Sequence, residues 1–317
     1  MDSRDRGVLT IAYGPERYLE MAKSLARSLR LHSPQIPRAV VTDSIDDPEM
    51  KQLFDVCIPL NREFGSGLQQ KLYLDRYTPF KQTLFLDSDS LVVTDVNEIW
   101  RYFEGVPFGI PGTAKLRRGD PDPKMDVDYI LDHFDLPDVP KFNSGLIYFE
   151  SDAAPVFVTA RELLSRHREL RFSNSDHPDD EPLLAVAMAL HGISPVQEND
   201  RTSRTPAGLR GNVTIDVAQG VATFNKHGTI VRPVIVHFAG PFAASFQYGR
   251  ECYKLRSGYK GTFRQRLAII GLRLNTSQAS WIQRRALIRS RAGSIKRRIK
   301  GMYLFFSRMS SATAIRP

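Results

Sequence analysis

Cysteine is scarce in this chain of 317 residues: only Cys57 and Cys252 occur, far apart in sequence. Two distant thiols provide no disulfide framework and no zinc-finger spacing, so a reducing, cytoplasmic setting is expected. Long apolar runs are missing as well. No stretch reaches the ~18 to 20 uninterrupted apolar residues of a membrane span, which excludes a transmembrane helix from the expected architecture. The opening MDSRDRGVLTIAYG mixes charges of both signs with a short apolar run, and it lacks the apolar core and small-residue cleavage site of a signal peptide. There is no internal repeat and no low-complexity linker.

Acidic residues are absent after Glu251, whereas 16 of the 44 Lys and Arg residues lie from Lys254 onward. The remaining 28 basic residues face 35 acidic ones, so an acidic body carries a strongly basic tail. Such asymmetry is the footprint of contact with an anionic partner, either a nucleic acid or a membrane surface. The tail stretches TFRQRLAIIGLRL, SWIQRRALIRSRAG and SIKRRIKGMYLFFS interleave cations with Ile, Leu, Trp and Phe. Phosphate backbones alone do not call for so many apolar residues, but a basic amphipathic helix lying in an anionic membrane interface does.

What is present, in a composition that is 42% hydrophobic and 25% charged, is enough for one large α/β domain. VLTIAYG (8–14) reads as a strand, RYLEMAKSLARSLRLHS (17–33) has helical apolar spacing, and AVVTD (39–43) reads as the next strand. Strand, helix, strand within about 40 residues is a βαβ unit and predicts a mainly parallel sheet. LQQKLYLDRY (68–77) is a second helix candidate, followed by TLFLDSDSLVV as a strand. VPFGIPG, KFNSGLIYFE and IVRPVIVHFAG supply further apolar runs, with a helix at APVFVTARELLSRHRE. Residues 112–140, rich in Pro, Asp, Lys and Gly, read as a long excursion of the kind that covers a site.

In an open α/β sheet the ligand crevice lies beyond the carboxyl ends of the strands, and FLDSDSLVV places Asp87 and Asp89 there. Hard carboxylate oxygens in this pattern suit Mg2+ or Mn2+, ions commonly completed by substrate phosphates. Taken alone, DSDS also reads as a polar turn.

Several further segments follow in order: IAYGPERYLEMAKSLARSL, Lys71 placed 16 residues before Asp87, FNSGL (142–146), DDEPLLAVAM (179–188) and HFAGP (237–241). Together, over residues 7–245, they resemble glycosyltransferase family 8, the nucleotide-sugar-dependent group containing glycogenin and bacterial lipopolysaccharide galactosyl- and glucosyltransferases. The resemblance implies a Rossmann-like GT-A fold, a UDP-sugar donor, Mn2+ or Mg2+, and transfer of a hexose with retention. It further implies Asp87, Asp89 and His237 as metal ligands, Tyr13, Lys71, Ser88 and Gly240 at the nucleotide sugar, and Asn143 and Asp180 as catalytic residues beside the sugar. Glu181 stands where the family has glutamine, and PFAASF after Gly240 lacks the family's Lys-Pro-Trp.

The residue chemistry is compatible with these roles. Neutral imidazole is a fair ligand for Mn2+, and a lysine meets a phosphate as a point charge. Each residue also has a plain reading: His237 as a core histidine, Lys71 as a solvated lysine, Asn143 as a turn residue, Asp180 as a helix cap, and Tyr13 as core packing. The expected protein is a GT-A glycosyltransferase domain over residues 1–253 with a basic helical tail over 254–317. It would be cytoplasmic, peripherally attached to the inner face of the membrane, and would act on a saccharide or glycolipid acceptor of the cell envelope. No nucleic-acid partner is expected. The alternatives are a haloacid-dehalogenase-type phosphatase, which also uses a DxD at a strand end, and a nucleic-acid-binding protein acting through the tail.

Overall fold

The computed structural model of the protein describes residues 5–172 and 177–274. In chain order its strands are β1 (Arg6–Ile11), β2 (Arg38–Thr42), β3 (Val56–Pro59), β4 (Gln82–Leu86), β5 (Ser90–Val92), β6 (Phe108–Gly109) and β7 (Ala114–Leu116). They continue with β8 (Val139–Lys141), β9 (Leu146–Glu150), β10 (Ser203–Arg204), β11 (Leu209–Asp216), β12 (Val221–Lys226), β13 (Thr229–Val231) and β14 (Ile235–His237). The α-helices are α1 (Glu16–His32), α2 (Pro48–Leu53), α3 (Leu74–Tyr77), α4 (Asn97–Trp100), α5 (Val127–Phe134), α6 (Ala154–Ser165), α7 (Asp180–Leu190) and α8 (Phe246–Ser257).

Six strands form the central sheet in the order β3-β2-β1-β4-β9-β6. The pairs among β3, β2, β1 and β4 are parallel, and β9 runs antiparallel to both β4 and β6. Side-chain alternation divides the core into two layers. Leu9, Ala39, Val41, Phe85, Ile147 and Phe149 pack on one face with residues of α6 and α7, whereas Val8, Leu84, Leu86, Leu146 and Tyr148 pack on the other with Leu25 and Leu29 of α1. Coverage on both faces explains why β2 is buried along its whole length. The result is the mixed α/β architecture with a parallel-rich sheet that the βαβ pattern predicts.

Several expected strands are divided. TLFLDSDSLVV is not one strand: β4 ends at Leu86, and after a turn the chain enters β5, which belongs to a separate sheet ordered β10-β14-β5. KFNSGLIYFE likewise splits into β8 and β9, and IVRPVIVHFAG into β13 and β14. An apolar run records burial but carries no mark of where the chain changes sheet. The 112–140 excursion holds β7 and α5 and returns through β8, its antiparallel partner. The helix expected at 68–77 is a 3-10 helix, Gly67–Tyr73, running into the short α3.

The described residues fall into two compact units, one holding those up to Ala243 together with Gln247–Tyr259, the other holding Ala244–Phe246 together with those from Lys260 to residue 274. Helix α8 runs through position 254, and the Lys254 ammonium meets Asp216 at 2.7 Å within the first unit. In the second unit residues 263–274 are helical; the expected tail beyond 274 lies outside the described residues.

The turn of 3-10 helix that carries Lys71 is anchored from α6. Arg161 donates from Nη1 and Nη2 to the two oxygens of Asp75 at 2.6 and 3.0 Å, and again from Nη1 to the Leu72 carbonyl at 2.7 Å. Both side chains are close to nine-tenths buried. Breaking such a pair leaves a buried charge uncompensated, so Arg161→Ala is expected to lower unfolding free energy by about 3 kcal/mol in urea denaturation.

Candidate active site

Two hydrogen-bond ladders meet at the Asp87–Ser90 turn, which is closed by Ser90 N donating to the Asp87 carbonyl at 3.0 Å. On the β4 side the register pairs Leu86 with Leu146, and Asp87 N then donates to the Gly145 carbonyl at 3.0 Å. Asp87 is thereby fixed beside Asn143, Ser144 and Gly145. On the β5 side His237 pairs with Ser90, and Phe238 N donates to the Asp89 carbonyl at 3.0 Å. That register sets the His237 imidazole against Asp89. The turn thus brings Asp87 and Asp89 against the segment that leads into β9 and against His237 at the end of β14.

His237 Nε2 lies 3.0 Å from Asp89 Oδ1 and 3.5 Å from Asp87 Oδ2. Burial alone would lower the imidazole pKa, but Asp87 and Asp89 overcome it and raise it to about 9. Lys71, also buried, places Nζ 2.7 Å from Asp87 Oδ1, 3.3 Å from Ser144 Oγ and 3.5 Å from Asp180 Oδ2. Burial opposes its charge, yet Asp180 and Asp87 hold its pKa above the ordinary lysine value. For Asp87, burial raises the pKa, and Lys71 and His237 more than offset this, bringing it to about 2. Asp180 responds differently. Its burial dominates and raises its pKa, with Lys71 and Ser144 opposing. Since the ammonium sits closer to Asp87, it serves Asp87 first, and Asp180 remains the more easily protonated of the two.

One ligand atom from each of Asp87, Asp89 and His237 lies within 4.8 Å of the others. Asp89 Oδ1 is buried, and its near neighbour is the His237 Nε2 at 3.0 Å, an ion-pair approach that leaves the oxygen without a hydrogen bond among the described residues. An orphaned buried carboxylate oxygen is costly unless a cation meets it. Two hard oxygens with one imidazole nitrogen form a donor set suited to Mn2+ or Mg2+, so these residues fit a divalent ion.

A cavity of about 450 Å³ opens beside this cluster. Lys71, Asp87, Ser88 and Asp89 line one part, and Ile11, Tyr13, Tyr18 and Leu68 give it apolar and aromatic walls. Tyr13 and Ser88 therefore share a cavity with the acidic cluster, with the Tyr13 hydroxyl donating to the Gly67 carbonyl at 3.4 Å. Gly240 does not line it; it opens a 3-10 helix, Gly240–Ala244, with φ of 58°. Asp180 is the first residue of α7, after its N-cap Asp179, so its buried carboxylate faces Lys71 instead of capping the helix.

Two residues without a legible role in the sequence complete the site. Glu181 Oε1 accepts from Asn143 Nδ2 at 3.1 Å and from Ser144 N at 3.2 Å, while Oε2 accepts from Lys124 Nζ at 2.5 Å. Lys124 also lies 3.2 Å from Asp179, which ties the 112–140 excursion to the start of α7. No local pattern marks Lys124; Glu181 was visible only as a departure from glutamine. Gly145 is required by close approach, since a Cβ there would stand 2.2 Å from His237 Cε1 and 2.9 Å from Asn143 Oδ1. Gly145→Ala is expected to displace the imidazole and weaken Mn2+ binding about tenfold or more in calorimetric titration, with the far-ultraviolet circular dichroism unchanged. Unchanged affinity would remove His237 from the ligand set.

The chain matches no protein-family model and no curated protein. Its structure, however, is similar to that of LgtC: an active-site mutant of LgtC aligns with a TM-score of 0.54 at 15% identity, covering 82% of this chain and 99% of that one. The galactosyltransferase LgtC in complex with donor and acceptor sugar analogues aligns at 0.53 and 14% identity, over 83% and 99% of the two chains. The apo bifunctional glycosyltransferase WbbM aligns at 0.50 and 12% identity, over 86% of this chain and 52% of that one. At such low identity the likeness is one of fold, and the chain has the GT-A fold of these glycosyltransferases.

Proposed function

We propose that the protein is a metal-dependent glycosyltransferase that moves a hexose from a nucleotide sugar, a UDP-sugar, to a saccharide or glycolipid acceptor with retention at the anomeric carbon. The observation that carries this reading is the Asp87, Asp89 and His237 cluster at the carboxyl end of β4, opening on a cavity large enough for a nucleotide, within a GT-A fold. The two LgtC alignments support it, since one of those structures holds donor and acceptor sugar analogues.

Asp87, Asp89 and His237 would hold the Mn2+ or Mg2+, which as a Lewis acid offsets charge on a departing diphosphate. Lys71 holds Asp87 ionised and keeps positive charge at the floor of the donor cavity. Tyr13 and Ser88 contact the nucleotide end, and Asn143 and Asp180 stand on the sugar side. In the transfer, the acceptor oxygen bonds to the anomeric carbon, the bond from that carbon to the diphosphate breaks with its electron pair, and the hydroxyl proton passes to solvent.

The second unit supports a membrane partner. Along helix 263–274, Phe263, Leu267, Ile270 and Leu274 are 76, 50, 55 and 61% exposed and follow helical spacing, with Arg264, Arg266 and Arg273 among them. No described helix is long and apolar enough to cross a membrane. In this reading the enzyme lies on the inner, anionic face of the membrane, where a glycolipid acceptor is presented.

Screening nucleotide sugars for Mn2+-dependent hydrolysis tests the activity. Asp87→Asn is expected to lower the rate at least about a hundredfold while the fold persists, as loss of a residue acting on charge in the transition state does. Retention of near wild-type rates would assign the chemistry elsewhere. Removal of residues after 260 is expected to abolish flotation with anionic liposomes at low salt while donor hydrolysis continues. Tail-dependent binding to RNA or DNA that outcompetes the liposomes would overturn the membrane assignment.

A further inference from the structure

A second cavity, of about 220 Å³, adjoins the proposed sugar side of the site and shares Asn143 with it. Lys141, Glu198, Ser203, Thr205 and Lys226 line it. The charges in this wall are compensated except for one. Lys141 Nζ meets Asp122 at 3.0 Å, and Glu198 is paired with Arg204. The Lys226 ammonium has no hydrogen bond or ion pair among the described residues, and neither do the Ser203 and Thr205 hydroxyls. Lys226 ends β12, whose pairing with β11 and β13 holds its backbone in place.

An ammonium half removed from water and left without a counter-charge weakens the fold. Burial lowers the Lys226 pKa, and Glu198, already engaged by Arg204, offsets this only in part. Free hydroxyls beside such a cation, in a cavity that also touches Asn143, form a surface complementary to a polar anion. The cavity is also of a size for one sugar unit and not for a second nucleotide.

We propose that this cavity receives the acceptor and that Lys226 reads an anionic group on the acceptor saccharide, a carboxylate or a phosphate monoester. Acceptor choice would then be partly electrostatic: a neutral sugar leaves Lys226 unpaired, whereas an anionic one supplies the missing counter-charge. This rests on the transferase reading, and the experiment separates the two.

Glucose 6-phosphate, glucuronate and lactose are titrated against the full-length protein and against Lys226→Gln, with binding followed by calorimetry. The same three sugars are offered as acceptors together with whichever nucleotide sugar the protein hydrolyses. The expectation is that one or both anionic sugars bind more tightly than lactose. Lys226→Gln weakens that binding about tenfold, as loss of one charge-assisted contact does, with donor hydrolysis unchanged. The two anionic probes distinguish phosphate from carboxylate. Equal binding of lactose and both anions, or an equal effect of Lys226→Gln on all three, overturns the proposal. Absence of donor hydrolysis alongside Lys226-dependent anion binding overturns the transferase reading alone.

Discussion

Five carboxyl groups are brought together where the central sheet meets its smaller neighbour, and their mutual repulsion is the constraint that the surrounding structure answers. Asp87, Asp89, Asp179, Asp180 and Glu181 would not stay folded together as bare anions. Three cationic or cation-forming side chains are interleaved among them: Lys71 between Asp87 and Asp180, His237 between Asp87 and Asp89, and Lys124 between Asp179 and Glu181. In a weakly polarisable interior these attractions are strong, but each depends on tight positioning. Arg161 and Asp75 supply that positioning for the turn holding Lys71, and the Gly145 backbone supplies it for His237.

The neutralisation is nonetheless incomplete, and it is incomplete where function is expected. Asp89 Oδ1 has no donor, and Asp180 Oδ2 has only the 3.5 Å approach of Lys71. A buried polar atom without a partner costs about 1–3 kcal/mol, and Asp89 Oδ1 and Asp180 Oδ2 put two such atoms within this one cluster. In the proposed reading an ion beside Asp89 and a substrate beside Asp180 complete the arrangement. Lys226 shows the same imbalance with the opposite sign in the neighbouring cavity.

Lys124 gives the 112–140 excursion a role beyond covering the site. By pairing with Glu181 it fixes the carboxylate that in turn orients the Asn143 amide through Nδ2, while Asn143 Oδ1 accepts from Gly145 N at 3.2 Å. With glutamate at position 181, a basic partner is needed, and the excursion provides it. The excursion, helix α7 and the turn between β8 and β9 are thus joined by one set of hydrogen bonds, so a change in any one of them is felt at Asn143.

Much of this was legible in the sequence. Hydrophobic patterning determined the βαβ start, the mainly parallel sheet and the helical spacing of α1, because such periodicity is written in local residue order. The order of FLDSDS, FNSGL, DDEPLL and HFAG marked the residues that the structure gathers around Asp87, although spacing said nothing about their contacts. Only the tertiary structure decided that the run through Asp87 and Asp89 is a turn between two sheets, that Asp180 faces Lys71 and does not cap α7, and that Lys124, Gly145 and Lys226 belong to the site's surroundings. Those facts depend on strand register and on side chains from distant segments sharing one desolvated space, where a charge is tolerated only if another arrives, and no local stretch of sequence contains both members of such a pair.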